Sequence, residues 1–525
     1  MNELSALAAA VRTSMTESNG ELVVFDSTSK QWCRHPWQDV HARAEQMARE
    51  IAKDPSPLGL IGDPGFDVIA AIQGAWLAGT AVTIAPGPIR GADTVRWAET
   101  TVARYEAMGV RTVLGNGEQL ELLASVSSSL TVVPATDFCT QDGGLGIERR
   151  TPTGPAILQS TAGSTGEPRT AVLSPDAVLA NAQGLLQRLE VDGRTDIGFT
   201  WLPLYHDMGL AFLTANMVSG MSTWIVSNSA FAAAPFKWLD WLTESRATVT
   251  AAPNFAYDIV GRYGKFLKDV DMSAIRVAIS GGEPIDAKAF DVFLEQTARF
   301  GFDPGAAAPA YGMAESTCAI TMPAAGDGAR YDEVQVDGAT RRYAVLGEPI
   351  DGMEIRVVEA STRAPSVSGR EVGEIEARGT SMMSGYLGHP PLAQDEWFRT
   401  GDLGYLVDGR LVICGRTKEL VIVAGRNLFP IEIERAAAEV EGVRSGGVVA
   451  MARENTARPG LVMVAEYRGT DQESARSAVI GAVASACGIV PGDVVFVEAG
   501  TLPRTTSGKL RRLEVKRLVE TGALA

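Results

Sequence analysis

Short apolar runs of strand type alternate with longer runs of helical period through most of this chain. That alternation restricts the fold more than any other feature of it. Leu58–Ile61 is followed by a helical pattern over Phe66–Leu77 and then by Ala81–Ile84. Ala156–Gln159, a Gly-rich loop, Thr170–Leu173 and a helical run Pro175–Leu189 repeat the theme. Strands that alternate with helices form parallel or mixed sheets with helices on their faces, so an α/β fold is expected. Ser174 is placed to cap the last of these helices, with Pro175 at its first position. At 525 residues the chain exceeds what one hydrophobic core organises, and two or more domains are expected.

The texture changes after Cys414. A compact stretch, GRTKELVIVAGRNLFPIEIE, leads into a helix (Glu432–Val440), two strands (Gly446–Met451 and Leu461–Tyr467), a helix (Gln472–Ala486) and a strand (Val494–Val497). That pattern predicts a small α+β domain over 416–525, behind a large N-terminal domain over 1–415 of sheets flanked by helices. The boundary is expected near Arg416–Lys418. Pro323–Arg342 is polar and Gly-rich, and reads as a surface excursion.

Composition excludes several classes of partner. A net charge of −16 argues against a general nucleic-acid or anionic-membrane binder, which needs an excess of Lys and Arg. Cys33, Cys139, Cys318, Cys414 and Cys487 are scattered and lack metal-type spacing, as expected of reduced thiols. Glu3 stands where a secretion signal wants positive charge, and the most apolar stretch, Val68–Pro86, is interrupted by Gln73, Gly74 and Gly79. A cytoplasmic protein with no membrane insertion is the expectation.

The chemistry-bearing segments begin with Ser160-Thr-Ala-Gly-Ser-Thr-Gly-Glu-Pro-Arg169, set between two strand-type runs. Glycines let backbone N–H groups approach an anion, hydroxyls add donors, and Arg169 adds charge. Such a loop suits nucleotide phosphates, although it lacks the Walker pattern. By itself it is also compatible with an ordinary Ser/Gly turn. Trp201-Leu-Pro-Leu-Tyr-His-Asp-Met-Gly209 places His206, one of four histidines, after an apolar strand; a lone histidine is as readily structural. Ser280-Gly-Gly-Glu-Pro284 is a tight turn after a strand. Tyr311-Gly-Met-Ala-Glu315 offers an aromatic plate for a base and a carboxylate for a hard cation. Thr400-Gly-Asp402 puts a carboxylate on a Gly turn, suited to two ribose hydroxyls. Leu502-Pro-Arg-Thr-Thr-Ser-Gly-Lys-Leu510 carries a cation near the C-terminus.

These elements, in this order, resemble the adenylate-forming superfamily of acyl-CoA synthetases, peptide-synthetase adenylation domains and luciferases. The likeness runs from about Val23 to Arg517. It is nearest to fatty acyl-AMP ligases in Leu202–Leu210, Arg246-Ala-Thr-Val, Pro253–Asp258, Pro309–Glu315, Gly425–Glu434 and Arg169. The resemblance implies activation of a carboxylic acid with ATP and Mg²⁺. Under it, Thr161, Ser164, Thr165, Gly166 and Arg169 hold the β,γ-phosphates, Glu315 binds Mg²⁺, and Ser316 adds a contact to the α-phosphate. Tyr311 stacks on adenine beside Gly312, with Gly281, Gly282 and Glu283 on the other side, and Asp402 and Arg416 bind the ribose. His206 shapes the carboxylate site, Lys509 bridges carboxylate and α-phosphate, and Lys418 falls at a hinge of the small domain. A solvated surface lysine is the plainer reading of Lys418.

The acyl pocket is expected between the histidine and tyrosine motifs, with Met208, Phe231, Phe255 and Tyr257 as principal lining candidates and Phe212, Phe236 and Trp238 beside them. Ala307 replaces an aromatic residue common in relatives and is expected to reshape the pocket near adenine. The resemblance implies transfer to the phosphopantetheine of an acyl carrier protein, with CoA as the alternative acceptor. Arg504, Lys509, Arg511, Arg512, Lys516 and Arg517 form a basic cluster that suits an acidic carrier protein, or equally a solvated helix face. A catalytically silent nucleotide-binding relative is a further reading, opposed by the presence of His206, Glu315, Asp402, Arg416 and Lys509.

Overall fold

The computed structural model describes residues 4–88, 92–138, 154–161, 169–336, 339–360, 367–393, 395–423, 426–453, 460–504 and 510–524, with 339 and 426 as backbone only. The fold is mixed α/β. One sheet has the strand order Ala307–Pro309, Val277–Ser280, Val249–Ala252, Ile197–Thr200, Ser222–Ile225, Glu21–Asp26 and Gln31–Pro36. Its neighbours run parallel except for the last hairpin. A second sheet is ordered Thr131–Pro134, Thr112–Gly115, Leu58–Ile61, Val82–Ile84, Ile157–Thr161 and Arg169–Leu173, and again only the last pair is antiparallel.

Local chemistry explains the elements. Leu58–Ile61 is buried along its whole length, as a parallel strand covered on both faces must be. The helix Phe66–Ala78 is buried from Val68 onward and stops at Gly79, whose φ of 76° is readily adopted without a Cβ. Ser174 caps the helix Pro175–Arg188 by accepting the Ala177 N–H at 3.1 Å, as its sequence position indicates. The helices Ala6–Glu17, Trp37–Ile51 and Phe66–Ala78 share one apolar core with the second sheet.

A third, antiparallel sheet runs Arg330–Val336, Ala339–Val345, Arg410–Arg416, Phe398–Val407, Gly373–Gly379 and Met353–Val358. Its first two strands correct the expectation of a surface excursion over Pro323–Arg342. In Arg330–Val336 the residues Asp332, Val334 and Val336 point inward, while Arg330, Glu333 and Gln335 are exposed. That period of two is a strand signal carried by few apolar residues. Asp332, the inward polar member, is satisfied by Arg370 and by the Tyr405 hydroxyl at 2.8 Å.

The C-terminal part builds a separate core. Val443–Arg453, Gly460–Tyr467 and Asp493–Val497 form its sheet, with helices Pro430–Ala438, Gln472–Cys487 and Arg512–Glu520. Val448, Leu461, Met463 and Val483 lie in one cluster, and Val449, Val464, Leu502 and Val515 in another. Among the described residues no helix is long and apolar enough to cross a membrane. None of the described cysteines is in a disulfide among the described residues: Cys33 is exposed, Cys318 half-buried, Cys414 and Cys487 buried. Cys139 lies outside the described residues.

Candidate active site

In open sheets of parallel strands, ligands bind beyond the carboxyl ends of the strands. Most of the motifs singled out in the sequence lie there. Ile197–Thr200 leads to Trp201–His206, Val277–Ser280 to Gly281–Glu283, Ala307–Pro309 to Tyr311, and Ile157–Thr161 to the phosphate-type loop. Gln159 Nε2 donates to the Tyr205 carbonyl at 2.8 Å, tying the second sheet to the histidine motif of the first.

Thr161 and Arg169 face each other across a hairpin, and the Thr161 hydroxyl donates to the Arg169 carbonyl at 3.1 Å. The ends of the loop are thus fixed. Ser164, Thr165 and Gly166 lie outside the described residues. The Arg169 guanidinium stands 4.4 Å over the ring of Tyr386, whose hydroxyl donates to Glu315 Oε1 at 2.6 Å. Burial, then the Glu315 charge, push the Tyr386 hydroxyl above the usual phenol range, so it remains a donor at neutral pH. Tyr386 therefore links the phosphate loop to the carboxylate proposed for a metal. No motif in the sequence marks it, because a Gly-Tyr step is a faint signal by itself.

Glu315 sits in a tight turn over Ala314–Ser316, and the next residue, Thr317, adopts φ 68°. A β-branched residue there is strained by about 1–3 kcal/mol. The Thr317 hydroxyl donates to the Ser381 carbonyl at 2.8 Å, and Asn181 Nδ2 donates to the Ser316 and Ala319 carbonyls, which together hold the turn. Ser316 corrects its expected role. It is fully buried, and its hydroxyl engages the Met313 and Cys318 carbonyls at 2.9 and 3.1 Å, so it braces the turn instead of facing a phosphate.

Tyr311, expected on adenine, and Asp402 and Arg416, expected at the ribose, meet in one cluster. The Tyr311 hydroxyl donates to Asp402 Oδ2 at 2.6 Å, and Arg416 Nε to Oδ1 at 2.7 Å, across paired positions of two strands. Asp402 is 3% exposed, and its amide is held by the Thr400 hydroxyl at 3.1 Å. Burial and then the Asp402 charge drive the Tyr311 hydroxyl well above the usual phenol range, which keeps it a donor. Gly312 tolerates no side chain: a Cβ there would lie 1.8 Å from the Cys318 carbonyl oxygen.

His206 opens the helix Asp207–Ser219, its Nδ1 against Asp207 Oδ1, and the Met208 N–H donates to the same carboxylate oxygen at 2.7 Å. The same N–H reaches His206 Nδ1, which accepts it at 3.3 Å and so caps the helix. A Cβ on Gly282, at φ 79°, would come within 4.0 Å of His206 Cε1 and 3.9 Å of Met208 Cε, so the imidazole edge faces the glycine turn. Glu283 Oε1 accepts the Phe255 N–H at 2.6 Å.

The aromatic candidates divide. Phe231 stacks on Trp201 at 3.5 Å, with Trp238 and Phe255 edge-on to the pair. Tyr257 is a core side chain in this arrangement: it is 1% exposed, bonds the Ile279 carbonyl at 2.8 Å and packs on Phe290 and Phe293. Phe255 and Phe236 are partly open to solvent at 39% and 38%. Phe212 and Ala307 are buried in the same core.

Lys509 lies outside the described residues. The stem around 505–509 is closed by a bridge between Arg504 and Leu510 and by the Arg511 N–H bonding the Pro503 carbonyl at 2.9 Å. The basic tail is not the free cluster that its sequence suggests. Arg512 pairs with Glu434 and Glu419, Arg517 with Glu514, and Arg504 bonds the Gly446 carbonyl. Lys418 is exposed in a short turn over Thr417–Glu419.

The residues fit a nucleotide. Ser280 Oγ, fully buried at the mouth of the glycine turn, has no hydrogen-bond partner, and the Gly281–Gly282 backbone leaves an open cradle beside His206. Asp402, though engaged on both oxygens, retains lone pairs for ribose hydroxyls. Among the described residues no group of three or more His, Cys, Asp or Glu gathers for a metal. Glu315 as a single carboxylate suits Mg²⁺, which binds through one or two carboxylates together with substrate phosphates.

Most of these motifs follow the ends of parallel strands, with Asp402 and Arg416 on the antiparallel sheet beside them. The model of the AMP-binding enzyme family matches residues 12–387, and the chain belongs to that family of adenylate-forming ligases. It is 33% identical over 528 residues to a Mycobacterium tuberculosis protein named as a ligase, Rv1013, covering 93% of this chain and 95% of that protein. It is 29% identical to the long-chain-fatty-acid–AMP ligase FadD26 of Mycobacterium marinum, covering 91% of this chain and 90% of the relative. Among solved structures it superposes with a TM-score of 0.88 on one from a study of fatty acyl-adenylate ligases from E. coli and L. pneumophila, at 26% identity, over 100% of this chain and 99% of that one.

Proposed function

We propose that the protein activates a fatty acid as an acyl-adenylate and hands the acyl group to the phosphopantetheine thiol of an acyl carrier protein. The observation that carries the first half is the joining of Arg169, Tyr386 and Glu315 in one chain of contacts, beside the Tyr311–Asp402–Arg416 clamp. The names of FadD26 and of the superposed acyl-adenylate ligases support the substrate class.

In the reaction an acid oxygen forms a bond to the α-phosphorus of ATP, and the bond to the bridging oxygen of the departing pyrophosphate breaks. A carboxylate meeting a polyanion needs charge neutralisation and alignment above all. Arg169 and the loop donors take the leaving pyrophosphate, with the Arg169 guanidinium set over the Tyr386 ring. Glu315, oriented by the Tyr386 hydroxyl, is the carboxylate for Mg²⁺, whose chemistry is to neutralise charge on the phosphate oxygens. Asp402 accepts from the ribose hydroxyls. His206, set at the start of its helix beside Asp207, borders the acid carboxylate, and Lys509 neutralises carboxylate and α-phosphate together. A thiol then attacks the acyl carbon and AMP departs. The domain boundary at 415/416 and a pivot at Lys418 belong to this reading, because the two half-reactions need different groups over one site.

The acceptor is the finer point. The pairing of Arg504, Arg512 and Arg517 within the small unit removes much of the electrostatic argument for a carrier protein on the basic tail. The carrier assignment therefore leans on the AMP-ligase resemblance, and CoA is the alternative.

A second reading of the acid has its own observation. Trp201 Nε1 and Trp238 Nε1 are both buried without a hydrogen-bond partner, in rings whose centroids are 6.1 Å apart. Two such donors in one aromatic box favour an acid carrying an oxygen acceptor, since each orphaned donor costs about 1–3 kcal/mol.

The deciding experiment offers ATP, Mg²⁺ and a panel of short-, medium- and long-chain fatty acids and hydroxyaryl acids, and follows acid-dependent pyrophosphate exchange. CoA and a holo carrier protein are then added separately. Acyl-AMP followed by transfer to the carrier supports the proposal. Rapid acyl-CoA formation defeats the carrier assignment, and no acid-dependent exchange defeats adenylation itself.

A further inference from the structure

Two ion-pair clamps bracket the short turn that joins the large and small parts of the molecule. On the near side, Arg416 is held to Asp402 through Nε–H···Oδ1 at 2.7 Å. On the far side, Arg512 Nη1 donates to Glu419 Oε2 at 3.0 Å. The same guanidinium grips Glu434 in a bidentate pair, Nε to Oε1 at 2.8 Å and Nη2 to Oε2 at 2.7 Å. All three side chains of the far clamp are largely covered, at 21% for Arg512, 24% for Glu419 and 6% for Glu434. Glu434 also accepts the Ala450 N–H at 3.1 Å, so the clamp is anchored in the sheet of the small unit. Between the clamps lie Thr417 and Lys418. Thr417 Oγ1 is buried without a partner in this pose, and Lys418 is exposed.

Arg512 begins the last helix, three positions after Lys509. On either side of residues 505–509, Arg504 bridges to Leu510 and the Arg511 N–H bonds the Pro503 carbonyl. One guanidinium thereby joins the start of the last helix, the first helix of the small unit and the residue that leaves the pivot.

We propose that Arg512, acting through Glu419, is a positioning residue that confines the pivot to Thr417 and Lys418 and so fixes where the small unit delivers Lys509. This rests on the adenylation reading and on Lys509 as its bridging cation. The chain rule is simple: a rigid body that starts at Glu419 delivers Lys509 with little scatter, whereas one that starts later swings it on a longer tether. Near-side Arg416 belongs to the ribose clamp, so a bound nucleotide stiffens the other wall of the same pivot.

The test uses Glu419→Gln, which removes the charge at the pivot and leaves the bidentate Arg512–Glu434 pair to hold the fold. Pyrophosphate exchange is measured with the acid panel above, alongside thermal melting. The expected result is a kcat lower by about tenfold, a displacement effect, with KM for ATP within about twofold and an unchanged melting point. Arg512→Lys, which replaces the bidentate fork with a point charge, is expected to lower kcat at least as far. A Glu419→Gln enzyme with wild-type kcat overturns the proposal and leaves adenylation standing, as does a kcat loss that merely follows a lowered melting point. A wild-type protein without acid-dependent exchange overturns the adenylation reading and this proposal with it.

Discussion

The ion pairs inside each unit and those between the large and small units are built differently. Inside a unit the carboxylate is covered: Asp402 at 4% holds Arg416 at 49%, and Glu434 at 6% holds a bidentate Arg512 at 21%. Across the seam, Lys288 meets Glu439 with the two side chains 81% and 67% exposed, and Arg435 meets Asp286 at 27% and 35%. Arg262 adds only a bond to the Ser445 hydroxyl, at 2.8 Å. Covered pairs in a low dielectric fix geometry and are costly to break, while exposed pairs are screened and contribute little. The comparison assigns rigidity to each unit and ease of exchange to the seam. Arg341 is the exception: it pairs with Glu432 at 17% and 12% exposure and donates to the Ala486 carbonyl at 2.7 Å.

The largest effects should follow loss of charge at the site. Asp402→Ala strips the partner from Arg416 and Tyr311 together, and kcat/KM for ATP is expected to fall by about 10²–10³ in steady-state exchange. Lys509→Ala should cost a similar factor, on the order of 10²–10³, carried in kcat with the nucleotide KM little changed. If Asp402→Ala kept near-normal exchange, the covered zone would not be the nucleotide site. If Lys509→Ala did, the small unit would contribute no cation to the chemistry.

Tyr386→Phe tests the link between phosphate loop and metal carboxylate. It keeps the ring under Arg169 and removes the hydroxyl from Glu315. A net hydrogen bond to a charged group contributes about 1.5–3 kcal/mol, so a loss of roughly tenfold or more is expected, with a raised Mg²⁺ requirement. An unchanged Mg²⁺ dependence would separate Tyr386 from the metal role.

Much of the fold was legible in the chain because its strands and helices obey their periods over long apolar runs: Leu58–Ile61, the helix capped by Ser174 and the elements of the C-terminal unit stand where the pattern puts them. The Asp402 and Tyr311 motifs were legible because a side chain and its turn are contiguous. Tyr386 was not, since its meaning arises only when a distant Gly-Tyr step lies between Arg169 and Glu315. The strand Arg330–Val336 hid because its inward set includes Asp332, whose partners Arg370 and Tyr405 lie far along the sequence. The basic tail misled for the same reason, as its arginines are neutralised by Glu434, Glu419 and Glu514.

The smallest effect is expected at the seam. Lys288 and Glu439 stand 2.9 Å apart, which invites the inference that they hold the small unit in place. Exposure argues otherwise: water solvates both groups when they separate, and ordering two long side chains offsets most of the attraction. A double-mutant cycle of Lys288→Ala and Glu439→Ala, read by chemical denaturation, should give a coupling of at most about 0.5 kcal/mol that fades as salt is added. Exchange activity should stay within about twofold in each variant. A coupling well above about 1 kcal/mol would place this pair with the covered clamps. The seam would then be a lock, and release of the small unit would require breaking it.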